Sequence, residues 1–194
     1  SSVGENFEHY ELFLDEADND KTLTTIQPAG NHEDASLLET GIRFESDEMI
    51  SDLTVEGKSN DEIKVVVYLK WRASQGDSEA EATFKLYSGT TLVKQVTEDL
   101  GDPQNATFFG GSDSWTPYTI LLDVGADGFV VENGDRLALD IEATASCTGS
   151  GGSPIGGSTC QVDIAYGGAV GNEYSRIEIR ADALSGSQVK VHYQ

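Results

Sequence analysis

Ile63-Lys-Val-Val-Val-Tyr-Leu-Lys-Trp-Arg-Ala73 decides the fold class. Ile63, Val65, Val67, Leu69 and Trp71 fall on one face of an extended chain, and Lys64, Val66, Tyr68, Lys70 and Arg72 on the other. A period of two marks a half-buried strand, because successive side chains of a pleated backbone point to opposite faces. The rhythm recurs along the chain. Ala80, Ala82, Phe84 and Leu86 alternate with Glu79, Glu81, Thr83 and Lys85, and Leu137, Leu139, Ile141 and Ala143 with Arg136, Ala138, Asp140 and Glu142. Ile177 and Ile179 alternate with Arg176, Glu178 and Arg180, and Val189, Val191 and Tyr193 with Lys190 and His192. Weaker versions cover 7–14, 41–45, 53–55, 92–96, 118–123 and 161–166. Gly76-Asp77, Ser88-Gly89, Gly101-Asp102-Pro103, Asn133-Gly134-Asp135 and Ser185-Gly186 punctuate these runs as turns. About ten short strands with no helical stretch predict an all-β chain, an antiparallel β-sandwich of jelly-roll type, though a barrel would use the same pattern. No linker divides it, so residues 1–194 are read as one domain. The most loop-like stretches are 31–34, 101–115 and 148–159.

Charge narrows the partners. Over 194 residues, 34 acidic side chains stand against 12 basic ones, a net charge of -22. Phosphate backbones need a clustered Lys/Arg surface, so nucleic acid is excluded as a partner, and anionic membranes are disfavoured for the same reason. No apolar run reaches the roughly 18 residues of a membrane span. Lys64, Lys70, Arg72, Lys85, Arg136, Arg176, Arg180 and Lys190 lie on outward strand faces, where Glu79, Glu81, Asp140, Glu142 and Glu178 can pair with them. The loops are left acidic, and subunits should stay apart until cations screen or bridge them.

The chain begins Ser1-Ser2-Val3 without a methionine, which is read as a mature, secreted sequence. Its two cysteines, Cys147 and Cys160, flank a Gly/Ser-rich loop and are expected to form a disulfide. Closing about 14 residues constrains the unfolded chain by roughly 3 kcal/mol and implies an oxidising compartment. Asn105-Ala106-Thr107 is a glycosylation sequon. An extracellular location follows from the three together.

Three groups of residues bear on chemistry. Leu14-Asp-Glu-Ala-Asp-Asn-Asp-Lys21 supplies Asp15, Asp18 and Asp20 as candidate Ca²⁺ ligands, since hard cations take oxygen donors; a solvated acidic turn is the other reading. Trp115 and Tyr118 beside a Gly-Gly-Ser loop are candidate stacking residues for a polysaccharide, against a reading of Trp115 as a plug at one end of the sandwich. Trp71 is in phase with the core face. His9, His32 and His192 are isolated from nucleophiles, His32-Glu33-Asp34 reads as a polar loop, and no Gly-x-Ser-x-Gly elbow is present. No residue is assigned a catalytic role, and the chain is expected not to be an enzyme.

Gly134-Asp-Arg-Leu-Ala-Leu-Asp-Ile-Glu-Ala143, Asp163-Ile-Ala-Tyr-Gly-Gly168 and Ser175-Arg-Ile-Glu-Ile179 resemble the secreted β-sandwich proteins of archaeal cell surfaces that build extracellular filaments or tubes. The resemblance implies a terminal strand of one subunit completing the sheet of the next, with Ca²⁺ between subunits in some tubes. Residues 1–14, with their own strand pattern ahead of the acidic turn, are the segment that would be exchanged. The functional expectation is therefore a non-enzymatic extracellular structural subunit, a homo-oligomer or filament. A carbohydrate-binding or adhesive module and a jelly-roll viral capsid or decoration protein are its alternatives.

Overall fold

A computed structural model of the chain describes residues 7–14, 21–24, 32–38, 40–57, 63–73, 78–105, 114–147, 160–168, 170, 174–180 and 184–185. These residues form fifteen β-strands and no helix: β1 (Phe7–Leu14), β2 (Lys21–Thr24), β3 (Glu33–Ser36), β4 (Ile42–Ser46), β5 (Leu53–Val55), β6 (Ile63–Ala73), β7 (Ser78–Ser88), β8 (Thr91–Asp99), β9 (Gln104–Asn105), β10 (Thr116–Leu122), β11 (Phe129–Val131), β12 (Leu137–Cys147), β13 (Cys160–Tyr166), β14 (Arg176–Arg180) and β15 (Leu184–Ser185). Among the described strands only β2–β4 and β6–β9 pair in parallel, and the other strand pairs are antiparallel. The expected all-β, antiparallel class is what forms. The strand predicted at 189–193 lies outside the described residues.

The long strands follow the order β3-β13-β6-β14-β1-β2-β4-β12-β7-β8, and β11-β5-β15 make a small separate sheet. In that order β6, β14, β1 and β2 stand between β13 and β4, and even with β13 and β14 sharing one edge of β6 a flat sheet would hold β13 and β4 on the order of 14 Å or more apart. Yet the rings of Phe44 on β4 and Tyr166 on β13 meet edge-to-face with centroids 5.8 Å apart. The sheet therefore folds over into two layers. Between them lie the inward residues of β6 (Ile63, Val65, Val67, Leu69, Trp71), of β7 (Ala82, Phe84, Leu86) and of β12 (Leu137, Leu139, Ile141), all buried. These are the residues that the alternation placed on one face.

β6 organises the first layer. β10 runs along one edge of it, from Thr116–Leu69 to Leu122–Ile63. The other edge is shared: β13 pairs with Leu69 to Ala73 and Tyr68, then β14 takes over from Val66 to Ile63. Ser175 closes the fork between them. Its hydroxyl donates to the Ala165 carbonyl at 2.6 Å and accepts from the Tyr68 amide at 3.1 Å, satisfying both backbone groups where the partner changes.

In the second layer β7 and β8 form a hairpin whose ends, Ser88 and Thr91, enclose two residues. Gly89 there has φ +56, a conformation that costs glycine little and other residues more.

Candidate functional site

Across the outer face of the β6 layer four of the pairs that β6 makes with β13 and β14 each bring at least one charged residue. Lys70 stands opposite Asp163, Arg72 opposite Gln161, Lys64 opposite Glu178 and Val66 opposite Arg176. On an open sheet face such groups would be solvated. Here Lys70, Asp163 and Glu178 are only 9%, 4% and 6% exposed. Asp163 accepts from Gln161 Nε2 at 2.6 Å and pairs with Arg72 Nη2 at 3.5 Å. Glu178 accepts from Arg176 Nε at 2.6 Å and lies 3.7 Å from Lys64 Nζ. Burial pushes the Asp163 carboxyl above its ordinary value; Arg72, Gln161 and Lys70 oppose the rise, and Asp34 adds to it.

Aromatic rings cover the Lys70 end of this layer. Trp115, one residue before β10, sets its ring 4.4 Å from Lys70 Nζ, a cation–π contact. His32 meets the same ring edge-on at 5.1 Å between centroids. Next to His32, Glu33–Ser36 forms β3 and pairs with β13, so the segment read as a polar loop is an edge strand. Asp34 stands opposite Ala165 and Ser36 opposite Asp163, on the same outer face. Sequence reasoning named Trp115 but missed Lys70, Asp163 and Asp34. Their signal is the cross-strand register, which no single run of sequence contains.

The other named residues fall elsewhere. Tyr118 stands opposite Val67, on the core side of β10, and its hydroxyl donates to the Leu100 carbonyl at 2.9 Å. Burial raises its phenol above the ordinary range, and the charges of Asp99 and Glu98 add to the rise. Tyr118 thus faces the core from β10 while Trp115, just before the strand, lies over Lys70, and the two do not form a common stacking platform. Trp71 is buried as expected and donates its indole N–H to the Gly101 carbonyl at 3.1 Å. Asn105 is the last residue of β9 and pairs with Ala73; Ala106 and Thr107 lie outside the described residues. So do Asp15, Asp18 and Asp20. Among the described residues no group of three His, Cys, Asp or Glu side chains is placed to hold a metal ion.

Cys147 and Cys160 form the expected disulfide, with Cα atoms 5.9 Å apart. β12 pairs with β4 and β7, and β13 with β3 and β6, so the bond ties the end of one layer to the start of the other. On the outer face of the second layer, Glu79, Glu81, Asp99, Thr144 and Ser146 line an open groove of about 490 Å³. Farther along, Lys85 pairs with Glu142 at 2.5 Å and Arg43 with Asp140 at 2.9 Å.

No family model matches the chain, and no curated protein matches its sequence. Among solved structures it is similar to an alpha-amino acid ester hydrolase, with a TM-score of 0.53 at 10% identity over 92% of this chain and 36% of that one. It is also similar to a CocE/NonD family hydrolase from Staphylococcus aureus, with a TM-score of 0.54 at 13% identity over 92% of this chain and 37% of that one. A third is an aminopeptidase from the marine sediment archaeon Thaumarchaeota archaeon, with a TM-score of 0.51 at 12% identity over 89% of this chain and 36% of that one. At such identities the likeness is one of fold. The chain spans little more than a third of the length of each of these proteins.

Proposed function

We propose that the chain is a non-enzymatic extracellular structural subunit that assembles with copies of itself into a filament or surface layer. The observation that carries this reading is the edge at β8. Among the described residues β8 pairs with β7 alone, at one end of the strand order, and Thr91, Leu92, Gln95, Thr97, Glu98 and Asp99 are exposed. An open edge of nine residues offers a row of backbone donors and acceptors that a strand from another chain can fill. Its charges suit a second copy: an antiparallel pairing centred on Val96 sets Lys94 of each chain opposite Glu98 of the other. The disulfide between the layers fits a protein that works in an oxidising space. Ca²⁺ at Asp15, Asp18 and Asp20 would relieve the repulsion between subunits of charge -22. Strand exchange is the second route to assembly. β1 fills a slot between β14 and β2 of its own sheet, so an exchanged β1 would take the same slot in a neighbour.

One observation favours a carbohydrate-binding or adhesive module instead: Trp115, with Lys70 and His32, stands outside the core. In that reading the chain serves as an accessory module, as fits its likeness to one part of larger proteins.

Proline substitution in β8 tests the edge. In a strand paired on one side, consecutive residues aim their N–H groups alternately at the neighbour and outward. Of Gln95→Pro and Val96→Pro, therefore, one spares the β7 ladder. The variant that keeps the parent melting temperature is expected to sediment as a monomer under conditions where the parent assembles. Assembly of that variant at the parent level would refute the edge contact.

A further inference from the structure

Lys70 and Asp163 are register partners on neighbouring antiparallel strands, both turned away from the core and both buried. Directly opposed residues share one face with Cβ atoms about 5 Å apart, which puts a lysine amine within reach of an aspartate carboxyl. The Trp115 ring lies over Nζ, and β3 flanks Asp163 on the side away from β6. We propose that Lys70 and Asp163 condense into an intramolecular isopeptide bond, a covalent cross-link between β6 and β13.

The step balances within the chain. Nζ gives one proton to a neighbouring carboxylate and attacks Cγ of Asp163 in its acid form. The Nζ–Cγ bond forms, the bond from Cγ to the hydroxyl breaks, and water leaves with that hydroxyl and a second proton from nitrogen. Overall an ammonium and a carboxylate become an amide and one water, with no oxidant, reductant or cofactor. Asp34, exposed on the same outer face of β3 and diagonal to Asp163 across the Asp34–Ala165 pair, is the carboxylate placed to carry the proton.

Three physical terms favour the reaction. Burial shifts Asp163 towards its acid form, the electrophilic one. A charge pair held away from water carries a desolvation penalty that a neutral amide abolishes. Fixed opposition on two paired strands gives the amine an effective concentration on the order of 10⁵ M or more, and the burial of Lys70 and Asp163 slows the reverse hydrolysis. The cross-link would lie close to the disulfide, because Cys160 pairs with Ala73, three residues beyond Lys70 on the same strand pair. The proposal does not depend on assembly.

Intact mass of the full-length protein tests it without any variant. The expected mass is that of the sequence less the two disulfide hydrogens and less one water. Tryptic mapping should return no cleavage after Lys70 and a branched peptide joining the Lys70 and Asp163 segments. Lys70→Ala and Asp163→Ala should each restore the missing water, and Asp34→Asn should give a mixture of linked and unlinked masses. A parent mass short only of the disulfide hydrogens, with Lys70 and Asp163 in separate unmodified peptides, would overturn the proposal. So would a water deficit that persists in Lys70→Ala.

Discussion

The outer faces of the two layers are written in the same alphabet and live in different solvents. On β7 and β12 the outward row is Glu79, Glu81, Lys85, Asp140 and Glu142, and its ion pairs sit partly in water: the Glu142 side chain is 51% exposed against Lys85. On β6, β13 and β14 the outward row is Lys64, Lys70, Arg72, Asp163 and Glu178, with the last two nearly closed off. An alternating pattern states that every second residue leaves the core. Whether it then meets water or another part of the chain depends on what lies across that face, and alternation is silent on that point.

Perturbing each layer in turn tests the contrast between the faces. The largest effect belongs to the bond that joins the layers. Reducing Cys147–Cys160 should lower unfolding free energy by about 3 kcal/mol, the loop-closure value for a loop of this length, while leaving β-sheet circular dichroism intact at 25 °C. A denaturant titration with and without reductant checks it.

Next comes Glu178→Ala, which removes the carboxylate that Arg176 Nε and Lys64 Nζ share. A loss of about 2–3 kcal/mol is expected, below the full value for a buried pair because both cations are a fifth to a quarter exposed. Glu142→Ala in the open layer should move the melting temperature far less, and that small shift should vanish in high salt. Equal effects from the two glutamates would erase the distinction between the faces.

Tyr118→Phe is smaller still. Losing the bond to the Leu100 carbonyl should cost about 1 kcal/mol at neutral pH. The folded phenol titrates above its ordinary value of 10.0, so its contribution is whole below that pH and is lost as pH rises through the folded value. The gap between parent and variant should therefore narrow above pH 10, as alkaline melting curves can show.

Much of the fold was legible. The alternation in 63–73, 80–86 and 137–143 located the long strands and assigned their core faces, because burial on one side is what period two encodes. Glu33–Ser36 was not legible: Glu-Asp-Ala-Ser has the composition of a turn, and it is a strand only because β13 offers it a free edge. The disulfide could be read from two lone cysteines around a Gly/Ser-rich loop. That it ties two layers rather than a hairpin could not, since strand order is a long-range property. The same limit hid the Lys70–Asp163 opposition, whose members are 93 positions apart in sequence and adjacent only through register. Trp115 was visible as an aromatic outside the rhythm, but its place over Lys70 was not.

Negative-stain electron microscopy of the purified full-length protein, with and without millimolar Ca²⁺, tests the structural-subunit reading most directly. Filaments or ordered sheets that appear or lengthen with Ca²⁺, and do not with Na⁺ at equal ionic strength, are the predicted result. Discrete single particles of monomer size under every condition, at concentrations up to the solubility limit, would contradict it.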